Sequence, residues 1–161
     1  DARIDLVPPV LSKDLARLEE ALARGRFQPD QFLLINRRHS RSNNSWMHNI
    51  HALVKGPERC VAWLNPADAA ELGLRDGDRL RIASRVGEIE LPVALNDAMA
   101  RRVVSVPHGW GHGDDRVRLR LASSRIGANV NMLSDDAEPD RPSGNAAFNG
   151  IPVSLSPASH P

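Results

Sequence analysis

Apolar positions along this chain recur mostly in short runs, and that rhythm predicts a β-rich fold. Gln31-Phe32-Leu33-Leu34-Ile35 reads as a buried strand and Arg59 to Leu64 as a second. Arg79 to Ser84 and Glu88 to Leu95 alternate as the arms of a hairpin around Val86-Gly87. Arg102 to Val106 adds a strand ending at Pro107, and Ile151 to Leu155 a last one. Helical signals are fewer. Ser12 is placed to cap a helix with Leu15, Leu18 and Leu22 at helical spacing, and Gly25 is placed to end it. Its other face is charged, so this helix is expected to pack on the edge of something larger. Asn65-Pro66-Ala67-Asp68 combines an Asn cap, Pro at the first helical position and an early acid. Gly73 ends that helix after about two turns. Arg75-Asp76-Gly77-Asp78 and Asn96-Asp97 are turns, and the tail is rich in Asn, Asp, Pro and Gly. Short strands, frequent turns and small helices predict a barrel rather than a doubly wound sheet.

Length and composition fit one ordinary domain. The chain has 161 residues, 41% hydrophobic and 25% charged, with a formal net charge of +1. No apolar run approaches the length that spans a bilayer, so a membrane partner is not expected. The near-zero charge argues against a general nucleic-acid binder, which shows a basic excess over a whole face. Nearly all the positive charge is arginine, with Lys13 and Lys55 the only lysines. Arginine suits bidentate binding of phosphate or carboxylate, although codon bias in a GC-rich genome explains the excess equally well. Cys60 stands alone, which excludes an intrachain disulfide and a cysteine-rich metal cluster. A lone thiol fits a reducing compartment, so a cytoplasmic location is expected, with export left open. The start Asp1-Ala2-Arg3 reads as a cut inside a longer protein.

The most informative segment follows the first strand. Asn36-Arg37-Arg38-His39-Ser40-Arg41-Ser42-Asn43-Asn44-Ser45-Trp46 is eleven residues without an aliphatic side chain. Arg37, Arg38 and Arg41 supply guanidinium forks for phosphate. The short Ser and Asn side chains can bond a ligand or the loop's own backbone. Trp46 can cover an aromatic ring. A solvated surface loop is the plainer alternative. A second candidate is Pro107-His108-Gly109-Trp110-Gly111-His112-Gly113, whose glycines let backbone approach a ligand closely, or simply make a turn. His108 and His112 have helical zinc-site spacing, but the glycines oppose a helix and no acid stands between them, so a metal is not expected. A third is Gly127 to Leu133 with Asp140, Ser143-Gly144-Asn145 and Asn149-Gly150, where amides suit the edge of a purine or pterin but also build turns. No nucleophile constellation, P-loop or dinucleotide fingerprint is present, and Cys60 lies in an apolar strand as an inert core thiol. His39, His48 and His51 could support a site, but isolated histidines are more often structural or surface residues.

In this order the loops resemble the C-terminal molybdopterin-dinucleotide-binding domain of the dimethyl-sulfoxide-reductase superfamily. The resemblance runs from about Gln31 to Leu155. It rests on Arg-Ser-Asn-Asn-Ser-Trp (41–46), Asn-Pro-Ala-Asp-Ala-Ala-Glu-Leu-Gly (65–73), Asp-Gly-Asp (76–78) and Pro-His-Gly-Trp-Gly-His (107–112), with Asn129-Val130-Asn131 and Asp-Arg-Pro-Ser-Gly (140–144) completing the set. It implies a six-stranded double-psi β-barrel over 31–161, with 1–30 a linker and short helix from upstream domains. It also implies a bis(molybdopterin guanine dinucleotide) cofactor carrying molybdenum or tungsten, gripped between this domain and the rest of the polypeptide. The resemblance assigns cofactor contact to Asn36, Arg37, Arg38, Ser40, Arg41, Ser42, Asn44, Ser45 and Trp46. The loop His108, Gly109, Trp110 and His112 joins them, with Asn129, Asn131 and Asn149. Arginines would supply electrostatics, Asn and Ser orientation, and Trp46 or Trp110 packing. Metal ligand, substrate site and any iron–sulfur cluster belong to upstream domains, so no catalytic or metal-ligating residue is expected here. One departure is Asn36, where many members carry Gly before the Arg.

Three other readings remain. A pyruvoyl-dependent decarboxylase of the same barrel type needs self-cleavage at Gly-Ser, a dipeptide this sequence lacks. A small free-standing pterin-binding subunit differs from a domain in the length of its reading frame. A barrel-type nucleotide- or protein-interaction module would bind its partner without any pterin.

Overall fold

Alternating burial along each strand builds the barrel expected from the sequence. The computed structural model describes residues 4–23, 30–114, 116 and 118–158. Its strands are β1 (Phe32–Arg37), β2 (Ala62–Leu64), β3 (Arg79–Ala83), β4 (Glu88–Leu95), β5 (Val103–Pro107) and β6 (Ile151–Pro157). They close in the order β1-β5-β2-β4-β3-β6. β1 with β5 and β2 with β4 are parallel, and the remaining pairs are antiparallel. Exchanging β1 with β4, β2 with β5 and β3 with β6 returns the same ring with the same parallel pairs. The barrel is therefore two interlocked copies of one three-strand unit, the double-psi arrangement.

Successive side chains of a strand point to opposite faces, so every second residue enters the barrel. Leu34, Leu80, Ile82, Leu91, Val104, Val106 and Val153 are buried in one cluster with Ala62 and Leu64. The hairpin joins β3 to β4 with Leu80 opposite Leu91 and Ile82 opposite Ile89. On its outer face Arg81 pairs with Glu88 and Arg79 lies near Glu90, exposed contacts that keep the strands soluble.

The expected boundaries shift at three places. β1 continues through Asn36 and Arg37, so the polar loop begins at Arg38. β2 is shorter than expected, starting at Ala62. Ser12 does not cap a helix: it closes the one-turn helix α1 (Pro9–Ser12), and α2 (Leu15–Ala23) follows separately. Gly25 lies outside the described residues. Leu15, Leu18 and Leu22 remain exposed, with Leu15 and Leu18 lining a shallow cavity beside Glu138 and Arg141. Two one-turn helices, α3 (His51–Val54) and α5 (Arg120–Ser123), and a 3-10 turn (Val130–Leu133) lie in the connections. No helix among the described residues is long and apolar enough to cross a membrane.

The helix after β2, α4 (Pro66–Glu71), forms as the cap signals predict: Asn65 Oδ1 accepts from Ala67 N at 2.9 Å with Pro66 at the first position. Its early acid does more than face the helix dipole. Asp68 is fully buried and accepts from Arg101 Nε at 2.6 Å and from the backbone N of Arg102 at 2.7 Å. Arg102 sits at φ 60, a left-handed conformation that a non-glycine residue holds only under constraint. The carboxylate therefore pins the turn that launches β5. Asp68→Ala leaves a buried N–H without an acceptor and is expected to cost about 2–3 kcal/mol, read from urea unfolding midpoints. An unchanged midpoint would show that the turn holds itself.

Candidate cofactor-binding site

The parallel pairing of β1 and β5 brings the candidate loops together. Arg37, the last residue of β1, lies beside Pro107, the last of β5, so both strands release their loops at one end of the barrel. β6 runs antiparallel to β1 with Ile151 opposite Leu34, which brings the segment before it, 148–150, to the same end. β2 runs antiparallel to β5, so the residues that enter it, Cys60 and Val61, also lie there.

Asn36 ties this end together from β1. Its backbone N donates to Asn149 Oδ1 at 2.8 Å, and its Nδ2 donates to the carbonyl of Phe148. A glycine here would lack the second bond. Asn36 is extended, and the positive φ values fall instead on Asn43 and Asn44, at 41° and 58°. Arg37 takes a different course from the expected phosphate fork. Its guanidinium donates to Ser105 O at 3.2 Å and Val61 O at 2.9 Å, and lies 3.6 Å over the Trp63 ring. Burial lowers its pKa to about 10. Arg37 thus braces the barrel mouth from beneath.

Beyond Arg37 the chain folds into successive turns. Ser42 N donates to His39 O at 3.0 Å, Met47 N to Ser42 O at 3.1 Å and His48 N to Ser45 O at 3.1 Å. Ser42 is buried within them, whereas Ser40, Arg41, Asn44, Ser45 and Trp46 are exposed. Arg38 donates to Asn44 Oδ1. Trp46 is 80% exposed, a large apolar ring held on the surface without cover.

The glycines of the second loop serve loop-to-loop contact. A Cβ on Gly109, at φ 95, would fall 2.0 Å from the Asn44 carbonyl oxygen, and one on Gly111 would fall 2.4 Å from Asn129 Cβ. His108 N donates to Arg37 O at 3.0 Å, and its ring lies 5.5 Å from Phe148. Gly111 N and His112 N both donate to Ile126 O. Asn129 Oδ1 accepts from Asn131 N at 3.1 Å, capping the 3-10 turn and leaving the Asn131 side chain exposed. Trp110 is 5% exposed and belongs to the core cluster, so the packing role expected of it is exercised inside the protein.

Beneath the loops lies a residue that sequence reasoning set aside. His48 is 2% exposed, its Nδ1 lies 2.7 Å from His112 Nε2, and its ring stacks 4.1 Å from Trp110. An isolated histidine beside Met47 and Ile50 carries no spacing signal, and only the turns that fold it inward reveal its position. Cys60 is buried too, accepts from Ala128 N at 3.2 Å, and has its pKa pushed up to about 11 by burial. His108 and His112 point to different partners, and no group of metal-binding side chains forms among the described residues.

Charge supports an anionic ligand here. No Asp or Glu occurs from residue 31 to 57 or from 98 to 113, the stretches that build most of this end. Asp30, Glu58, Asp97 and Asp114 border them, and Glu58 spends Oε1 on the backbone N–H groups of Arg59 and Cys60. The exposed donors are those of Arg38, Arg41, Asn44, Ser45 and Trp46, which suit phosphate oxygens and a planar heterocycle.

A closed double-psi barrel with four glycine- and amide-rich segments gathered at one end defines a cofactor-holding barrel. The model of the family described as "Molydopterin dinucleotide binding domain" matches residues 32–152, and the chain belongs to that family. The arsenate respiratory reductase molybdopterin-containing subunit of Chrysiogenes arsenatis is 30% identical over 121 residues, 72% of this chain and 14% of that protein. The dimethyl sulfoxide/trimethylamine N-oxide reductase of Rhodobacter capsulatus is 33% identical over 101 residues, 63% of this chain and 12% of its own length. The acetylene hydratase from Pelobacter acetylenicus shares the fold, with a TM-score of 0.66 at 21% identity, over 90% of this chain and 20% of that one. The chain thus spans about one seventh of the length of the first of these relatives.

Two outcomes follow from this packing. Gly109→Ala drives a Cβ into a backbone carbonyl at a positive φ; it is expected to cost about 2–4 kcal/mol and to raise hydrogen exchange across 39–46 and 108–113 together. Exchange confined to 108–113 would show that the loops are independent. His48 has its pKa lowered to about 4, by burial first and then by the charge of His112. The unfolded chain takes up a proton near the ordinary value of 6.5 that the folded chain refuses, so stability falls as pH drops from 6.5 towards 4. His39, His108 and His112 are lowered in the same direction. The loss of urea stability between pH 7 and pH 5 is expected to be smaller by about 1–2 kcal/mol in His48→Phe. An identical loss would mean that His48 is protonated in the fold.

Proposed function

We propose that this chain is the cofactor-clasping part of a larger molybdopterin oxidoreductase, holding one side of a bis(molybdopterin guanine dinucleotide) that carries molybdenum or tungsten. The observation that carries the proposal is the meeting of the 38–46, 107–113, 129–131 and 148–150 segments at one barrel end, in a chain of the molybdopterin-dinucleotide-binding family. The metal and its pterins supply the redox chemistry when bound, while metal ligand, substrate site and any iron–sulfur cluster lie in other domains of the same polypeptide.

Each element then has a physical task. Arg38 and Arg41 neutralise phosphate from the exposed turn, where no carboxylate competes. Ser40, Ser45, Asn44, Asn131 and Asn149 offer short donors and acceptors that orient without large entropy loss. Trp46 covers a ring face or the opposing domain, removing its surface from water. Arg37, Asn36, Ser42, Gly109 and Trp110 hold the loops in place from behind. The domain thereby presents a preformed half-cage and excludes water from one side of the cofactor. The boundary between a connecting segment, 1–30, and the barrel, 31–161, belongs to the same proposal, as does a cytoplasmic setting.

Retention of cofactor by the enzyme containing this chain tests it, with metal and guanine nucleotide measured per protein after gel filtration. Arg41→Gln is expected to weaken retention about tenfold, the value of a charge-assisted phosphate contact, without lowering the melting temperature of the 161-residue chain. A cofactor-bound structure with the 38–46 turn beyond hydrogen-bonding distance of every cofactor atom would sink the assignment.

A further inference from the structure

The pair beneath the loops has a consequence for which proton each imidazole carries. A neutral imidazole holds one N–H and one bare nitrogen, and the 2.7 Å contact between His48 Nδ1 and His112 Nε2 requires a donor on one side only. Two arrangements satisfy it. If His112 donates, His48 must carry its own proton on Nε2, an atom that is buried and has no hydrogen-bond partner among the described residues. If His48 donates from Nδ1, Nε2 is a bare lone pair. A buried N–H without an acceptor is the rarer and costlier defect, so the second arrangement wins. His112 Nε2 then serves as the acceptor, and its only proton sits on Nδ1. His112 is part-exposed, at the loop end of the barrel.

We propose that His48 is a positioning residue that fixes His112 as an Nδ1–H donor, so that His112 offers a hydrogen bond to an acceptor oxygen of the bound cofactor and never a lone pair. The geometry behind this is a locked stack. The His48 ring lies 4.1 Å from Trp110, tilted by 32°, and Trp110 is itself seated against Gly127, where a Cβ would lie 2.9 Å from Trp110 Cβ. The His112 ring meets His48 edge-on, at 90° and 5.0 Å between centroids. The His112 backbone N donates to Ile126 O at 3.0 Å, and the bond to His48 is what holds its ring. Without His48, His112 exchanges between both tautomers and rotates. The ligand half of the inference rests on the cofactor reading above; the tautomer half does not. The acceptor oxygen belongs either to a phosphate or to the pterin ring carbonyl, and both take an N–H in the same way.

Imidazole 15N spectra of the 161-residue chain, recorded without ligand, test the first half. Both His48 and His112 are expected to show a protonated Nδ1 and a bare Nε2 from pH 6 to 8. A protonated His48 Nε2 would overturn the proposal outright. Titrations with guanosine diphosphate and with a free pterin, at millimolar concentration, then read the second half. One of the two is expected to shift the His112 Nδ1 signal, and which one names the oxygen; no shift with either would remove the ligand contact while leaving the tautomer result standing. His112→Gln keeps an acceptor towards His48 and a donor outward, so it is expected to bind that probe within about threefold of the native chain. His112→Glu keeps the inward acceptor but places an anion outward, and is expected to bind about tenfold or more weakly. Equal binding by the two variants would overturn the donor assignment. His48→Phe preserves the stack and removes the bond; it is expected to restore mixed tautomers at His112, and an unchanged His112 spectrum would show that His48 positions nothing.

Discussion

The parallel register between β1 and β5 is the constraint on which the rest of this structure depends. Parallel neighbours must release their chains at the same end, and the pairing of Arg37 with Pro107 sets the two releases side by side. Everything chemically distinctive then follows locally. The 38–46 turn and the 107–113 loop leave from adjacent points and can touch only if the second lacks side chains at 109, where the Asn44 carbonyl already occupies the Cβ position. Antiparallel closure by β6 adds the 148–150 segment, and Asn36 bonds it through both backbone and side chain. A slip of one residue between β1 and β5 would expel Leu34 and Val104 from the core and separate the loops together. Core packing and site geometry are therefore one requirement.

Most of the barrel was legible because its strands obey period-two alternation and its turns use residues with a mechanical reason to be there. The Asn65-Pro66 cap, the Asp76-Gly77 turn and the hairpin at Val86-Gly87 are local chemistry, and each forms where the sequence placed it. The same logic failed at the start of α2, because Ser12 is one of several short polar residues near Pro8 and Pro9 and local signals do not choose among them. It also ended β1 two residues early. Asn36 and Arg37 are polar, and only their bonds across the ring to Phe148, Val61 and Ser105 make strand geometry worthwhile for them.

At the loop end, the segments singled out in the sequence meet in the fold, but the sequence does not say what each residue does. Arg37, Arg38 and Arg41 are equivalent as letters, yet one braces the barrel mouth, one bonds Asn44 and one stands exposed. Trp46 and Trp110 divide likewise between surface and core. His48 was passed over because burial of a lone polar residue is a tertiary fact, created here by the chain of turns from Ser42 to His48. Ordered motifs identified the family; the division of labour within them required the fold.

That division has a common electrostatic reason. A face proposed to hold a polyanion gains from concentrated donors, but a cluster of arginines without a ligand repels itself and would loosen the loops that carry it. Acidic partners would relieve the repulsion and spoil the site. The chain relies on carboxylates sparingly here, with Glu58 bonded to the backbone N–H groups of Arg59 and Cys60. It fastens the loops with neutral groups, the His48–His112 bond, the Asn36 and Asn149 amides and close glycine contacts. Arg37 is satisfied with carbonyl dipoles and an aromatic face in place of carboxylates. Carboxylates work elsewhere: Asp68 at the turn into β5, and Glu88 and Glu90 on the outer hairpin. Rigidity at this end is thus obtained largely from neutral groups, which leaves the 38–46 turn without a carboxylate of its own and suits the phosphate contact proposed for Arg38 and Arg41.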